Sequence, residues 1–190
     1  ILWTKLIVEI DYLKSLIVHR PTKMGYDSKI MLDYVGKIFK INPENDQYKK
    51  NALTEIRTIE RTTKHEIKAI EYFIRQELSI DNSSGHNKPN KMGNDIANYV
   101  HFGLTSEDII SVTNSLLINQ SRNVINLYIY KLQMSLDSFG MKDCAMPART
   151  HGQMAIPTTF YKQFSVYLYR IYFIQNSLDP VVYCKMGGAI

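Results

Sequence analysis

Residues 106–139 contain neither proline nor glycine, and apolar side chains recur along them as Ile109, Val112, Leu116, Val124, Leu127, Leu132, Leu136 and Phe139. Steps of three and four residues place most of these on connected faces of an α-helix. At the α-helical rise, an unbroken helix of this extent is about 50 Å long, more than one small domain can cover. Such a rod, with apolar surface on several sides, has to pack against other long helices of its own chain or of further subunits.

The flanking sequence follows the same period. Leu2, Leu6, Ile10, Leu13 and Ile17, with Ile7 beside them, give one buried stripe. His19-Arg20-Pro21 closes that helix, because proline disfavours the α conformation in the residue before it. Asp27-Ser28 opens a second helix carrying Ile30, Leu32, Val35 and Phe39, which stops before Asn42-Pro43. A third is predicted from about Asn45 to Ile59 and a fourth from Lys64 to about Leu78. Residues 81–90 are nearly all turn formers and read as a surface loop, with His86 solvated in it. Residues 157–178 are apolar almost all round and belong in the middle of a bundle, ended by Pro180. No strand pattern competes. The expectation is an all-α fold: a small N-terminal helical domain, residues 1–104, followed by the first part of a central long-helix bundle, residues 105–190.

Hydrophobic residues at 45% and charged residues at 22% exclude disordered and fibrous classes. The net charge of +5 is scattered, and the nearest basic cluster, Lys49-Lys50, is too short for a nucleic-acid reader. Cys144 and Cys184 form no metal-ligand or redox spacing, so both thiols are expected free and partly buried in a reducing compartment, without metal. Residues 1–10 hold Lys5 and Glu9 and make no secretory signal. Residues 164–174 are interrupted by Arg170 and fall short of the roughly 20 residues a bilayer span needs. These features predict a cytoplasmic chain with no nucleic-acid or membrane partner. The start without methionine and the end at Gly187-Gly188-Ala189-Ile190 read as part of a longer chain.

Three polar segments carry candidate chemistry. In Arg61-Thr62-Thr63-Lys64-His65-Glu66, the pair Thr63 and Glu66 reads as a capping box, putting Lys64 and His65 in the first turn of the following helix. Two basic-capable groups there are costly unless an anion is near, although solvated side chains on a plain cap remain the simpler alternative. In His101-Phe102-Gly103-Leu104-Thr105-Ser106-Glu107-Asp108, Thr105 with Asp108 caps the long helix, whose free amides and hydroxyls can hold a carboxylate or phosphate. His101 reads equally as a hydrogen-bonded core histidine. In Arg149-Thr150-His151-Gly152-Gln153, four hydrogen-bonding side chains surround one glycine in apolar surroundings, and a histidine is suited to proton transfer near neutral pH.

Taken together, these segments resemble adenylosuccinate lyase, of the fumarase and aspartase superfamily. The likeness runs through Ile59-Glu60-Arg61-Thr62-Thr63-Lys64-His65-Glu66-Ile67-Lys68-Ala69-Ile70-Glu71-Tyr72, the His101 to Asp108 segment, Arg149-Thr150-His151-Gly152-Gln153 and Lys185-Met186-Gly187-Gly188-Ala189, in the family's order. It implies β-elimination of fumarate from succinylated purine nucleotides without a cofactor: a base removes a proton beside a carboxylate, and an acid protonates the departing purine nitrogen. By the resemblance His151 is the general acid, assisted by His65. Lys64, Glu66, His101, Thr105, Ser106, Thr150 and Gln153 bind substrate. A homotetramer with sites shared between subunits is implied too.

The chain also departs from the family. The base serine and its Ser-Ser-x-x-Met-Pro-x-Lys-x-Asn loop do not occur here, nor does the Arg-Tyr pair upstream of the first helix. The 190 residues alone are therefore not expected to be active. Argininosuccinate lyase, fumarase or aspartase chemistry is an alternative within the superfamily, and a helical assembly module without chemistry is one outside it.

Overall fold

A computed structural model of the chain describes residues 1–19, 26–39, 46–81, 88–140, 144–177 and 187. Among them the helices are α1 (Leu2–His19), α2 (Ser28–Ile38), α3 (Asp46–Thr63), α4 (Glu66–Ser79), α5 (Lys91–Ala97), α6 (Ser106–Gly140) and α7 (Phe160–Ser177). The expected helical fold is present. Most of the segment expected to form the surface loop, including His86, lies outside the described residues.

The expectation of no strands needs correction. Three short antiparallel ladders occur: β1 (Ile80–Asp81) with β2 (Lys88–Pro89), β3 (Ala145–Met146) with β6 (Thr158–Thr159), and β4 (Arg149–Thr150) with β5 (Gln153–Met154). Each strand is two residues long, too short to leave a period-two hydrophobic pattern.

The chain divides into two compact units, Ile1–Ser115 with Cys184–Ile190, and Leu116–Tyr183. In the first, α4 is the central element and packs against α1, α2, α3 and α5. It supplies Ile67, Ala69, Ile70, Phe73, Ile74 and Leu78 to the core. Helix α1 lays Leu6, Ile10, Leu13 and Ile17 against them, all fully buried, as its stripe predicts. Helix α2 is capped by Asp27, whose carboxylate accepts the Lys29 and Ile30 amides at 2.8 and 3.3 Å. Its inward face is Met31, Val35 and Phe39, while Ile30, expected inside, is exposed. Steps of four select that face.

Gly93 lets α5 approach the end of α4 closely. A Cβ there would stand 1.9 Å from the Leu78 carbonyl oxygen and 2.6 Å from the Tyr34 hydroxyl. That hydroxyl donates to the same carbonyl at 2.6 Å, closing the end of α4. Tyr26 donates to Asp95 at 3.0 Å and ties α5 from its other side.

The second unit holds the later turns of α6, the β3–β6 and β4–β5 ladders and α7. Large apolar residues of both helices are exposed, among them Leu127, Tyr128, Tyr169, Phe173 and Ile174. Cys144 is free and exposed, not partly buried as expected. Among the described residues, no helix is long and apolar enough to cross a membrane.

Candidate active site

Few non-glycine residues adopt a left-handed backbone, which brings Cβ close to the carbonyl and costs roughly 1 kcal/mol or more. Among the described residues they are Lys64 at φ +54°, His101 at +60° and His151 at +48°. All three belong to the polar segments singled out from the sequence.

At Lys64 the chain turns between two helices, which corrects the expected capping box. Helix α3 runs on through Thr63, and α4 starts at Glu66, so Thr63 ends one helix and Lys64 and His65 link it to the next. The cap of α4 is His65: its Nδ1 accepts the Lys68 amide at 3.2 Å. Thr63 supports the turn by accepting the His65 amide at 3.4 Å and donating to the His65 carbonyl at 3.2 Å. With Nδ1 occupied as an acceptor, the ring's proton lies on Nε2, which faces the Ser106 hydroxyl at 3.4 Å. Two segments 41 residues apart therefore meet at this contact. Glu66 is engaged by Lys5 of α1 in an ion pair. Lys64 is exposed and lines a hollow of about 470 Å³ with Arg57, Glu60 and Arg61, three cations to one anion.

His101 lies in a run of tight turns after α5. Arg75 donates to the Val100 carbonyl at 3.1 Å and Tyr12 to the Phe102 carbonyl at 2.9 Å, so the residues either side of His101 are tied to α4 and α1. The His101 side chain is 12% exposed. Its Nδ1 bonds the Glu9 carboxylate, and its Nε2 faces Glu71 at 3.7 Å. Burial pulls its pKa down, but the Glu9 hydrogen bond and the charges of Glu9 and Glu71 outweigh burial and the opposing Lys68, leaving it above the ordinary histidine value.

Thr105 opens α6 as expected. Its amide and hydroxyl both donate to the Asp108 carboxylate, at 2.8 and 3.1 Å. The buried Asp108 also accepts the Gly187 amide at 3.0 Å, bringing Gly187 onto the start of α6. Ser106, half-buried, is left facing His65.

In the second unit His151 and Gly152 form the two-residue loop of the β4–β5 hairpin, with φ of +48° and +79°. Positive φ at both loop positions is the geometry that matches the right-handed twist of paired strands. The loop presents His151 at the hairpin tip, exposed, with Thr150 opposite Gln153 at its base, both exposed.

Sequence reasoning missed Lys5, Glu9, Lys68 and Glu71, which surround His65, Glu66 and His101. A signal was present: Lys5 and Glu9 are four residues apart and interleave with the buried stripe of α1, and Glu71 follows Ile67 by one turn. Charged residues inside an apolar stripe are buried with partners or not at all.

The profile of the family described as "Lyase" matches residues 32–189. An adenylosuccinate lyase from Dictyostelium discoideum is 36% identical over 151 residues, covering 75% of this chain and 30% of that protein. One from Escherichia coli (strain K12) is 28% identical over 192 residues, covering 96% of this chain and 38% of that protein. The chain thus spans about a third of the length of these curated relatives. A fumarate lyase from Mesorhizobium sp. BNC1 has the same fold at a TM-score of 0.64, with 17% identity over 99% of this chain and 40% of that one. The left-handed turns at Lys64, His101 and His151 thus belong to a chain of the lyase family, within the fumarase and aspartase superfamily, and its sequence is similar to adenylosuccinate lyases.

Proposed function

We propose that the full-length protein is an adenylosuccinate lyase, releasing fumarate from adenylosuccinate to give AMP and from the succinylated carboxamide precursor in purine synthesis. The observation that carries this reading is the contact between His65 and Ser106, which joins the Thr-Thr-Lys-His-Glu and Thr-Ser-Glu-Asp segments that carry the resemblance to adenylosuccinate lyase. Lys64, His65 and Glu66 contact the nucleotide, with His65 assisting, while Thr105 and Ser106 hold the substrate's acidic groups and His101 lies in the same pocket. Donors grouped at the starts of α4 and α6 are held before substrate arrives, so they stabilise developing carboxylate charge without reorganising. His151 is the general acid that protonates the departing purine nitrogen, with Thr150 and Gln153 lining the substrate beside it. The tip of a tight hairpin suits that task, because the backbone fixes where the side chain starts and leaves the ring open to an arriving substrate.

The site is completed by parts this chain does not contain, a serine base among them, and the active species is a cytoplasmic homotetramer whose subunits share sites. An N-terminal domain of residues 1–104 and a bundle starting at 105 follow the same plan.

Assay of the full-length protein with adenylosuccinate, following fumarate, is the test. Release of fumarate and AMP is expected. Release of fumarate only from argininosuccinate, or interconversion of malate or aspartate with fumarate, assigns a different substrate in the same superfamily. No turnover of any of these leaves a non-catalytic helical module.

A further inference from the structure

Glu9 is fully buried in the side of α1, one carboxylate oxygen bonded to His101 and the other, Oε2, without a hydrogen-bond partner among the described residues. A buried carboxylate with a vacant oxygen is destabilising unless a positive charge lies beside it. The groups facing His101 are Glu9 from α1 and Glu71 from α4, with Lys68, also of α4, paired to Glu71 at 2.8 Å. Two carboxylates and one ammonium leave a net charge of −1, which a neutral His101 does not cancel and an imidazolium does. Both ring nitrogens face carboxylates, and the residues on either side are held by Tyr12 and Arg75. A ring gripped in this way is poorly placed to pass protons and well placed to present a fixed charge.

We propose that Glu9 is a positioning residue: it orients His101 through Nδ1 and keeps it an imidazolium, so that an anionic group of the substrate meets a charged ring in a neutral cluster, where a neutral ring would leave the cluster net negative and repel it. This rests on the reading of the same site as an adenylosuccinate lyase. His101 then acts as a cation, not as an acid or base, and the effect of Glu9 reaches substrate only through it. Glu71 contributes in the same sense from a longer distance.

Glu9→Gln in the full-length protein keeps the shape and removes the charge. Fumarate release from adenylosuccinate is measured against pH for both proteins, with thermal unfolding alongside. The loss in kcat/KM is expected to be small near about pH 6, where a histidine is largely protonated without help, and to grow to about tenfold or more above neutral pH. KM rises more than kcat falls. In parallel, the protonation of His101 is followed by NMR of ¹³C-labelled histidine, assigned with His101→Gln, and the charged ring is expected to lose its proton at lower pH in Glu9→Gln. An equal loss at every pH, or an unmoved His101 titration, overturns the proposal and makes Glu9 a structural residue. If Glu9→Gln does not fold, Glu71→Gln is read by the same two measurements, with a smaller shift in the same direction expected and its absence counting against the idea. If the wild-type protein turns over no adenylosuccinate, the substrate reading fails, while the NMR comparison still decides whether Glu9 holds the charge on His101.

Discussion

Phe73 and Phe173 show how differently the two units are held together. Phe73, in α4, the helix that packs against four others, is 1% exposed, whereas Phe173, in α7, is 71% exposed. The first unit buries a continuous set of large aliphatic residues and is stabilised by its own core. The second presents long helices whose apolar surface its own residues leave open, as expected of helices that pack on other helices of a larger assembly. Local sequence therefore decides stability in one unit, and in the other it prepares open apolar surface and the hairpin proposed to carry the general acid.

Replacing those two phenylalanines tests the contrast most severely. In the 190-residue chain, Phe73→Ala is expected to destabilise the first unit by about 4 kcal/mol, through lost burial and the cavity left behind. Phe173→Ala should change the same transition by less than about 0.5 kcal/mol. Urea unfolding followed by tryptophan fluorescence reads this directly, because Trp3, the single tryptophan, lies on α1 in the first unit and packs edge-on to Tyr48. Equal losses from the two substitutions would break the comparison.

Gly93→Ala is expected to follow, at about 3 kcal/mol, since a methyl group 1.9 Å from a backbone carbonyl forces α5 away from α4. The same unfolding curve measures it. A loss within error would mean that α5 is free to shift, and that the core of the first unit is looser at that edge than the packing around Leu78 implies.

In the second unit the expectation reverses, with chemistry lost and stability kept. His151→Asn in the full-length protein should lower kcat by at least about a hundredfold, equivalent to about 2.7 kcal/mol of barrier, with the melting temperature and oligomer unchanged. Asparagine is chosen because it tolerates the left-handed backbone of the hairpin loop, where alanine would add strain of its own. A near-normal kcat, measured by fumarate release, removes His151 from the reaction.

How much of this was readable beforehand follows the same division. The stripe of α1 was legible because burial repeats at the helical period, and the long α6 because residues 106–139 hold neither proline nor glycine, with boundaries that follow from capping and proline chemistry. The restart at Lys64 was not, since Thr63 and Glu66 have the spacing of a capping box, and only the left-handed turn gives the cap to His65 instead. The β4–β5 hairpin escaped because its loop is His151-Gly152, not one of the asparagine or aspartate pairs that usually announce such a turn. The candidate site residues were legible as polar segments, but their supports were not. Glu9 and Glu71 become interpretable only once α1 and α4 are seen to close around His101.

The smallest expected effect sharpens the comparison from within the first unit, where a buried charge cluster belongs to the core. His101 has its pKa raised in the folded chain, the Glu9 and Glu71 contributions outweighing the opposite effect of burial. A group that binds its proton more tightly when folded contributes stability that is fully present below the unfolded histidine value of 6.5 and is lost as pH rises through the higher folded value. The first unit should therefore weaken between slightly acidic and mildly alkaline pH, by about 1.5 kcal/mol, the scale of one hydrogen bond to a charged group. Tryptophan-detected urea midpoints across that window measure the change, and His101→Gln should flatten most of it. Stability that rises over the same window would mean that the folded chain holds fewer protons than the unfolded one there, and that Glu9 is not balanced by His101.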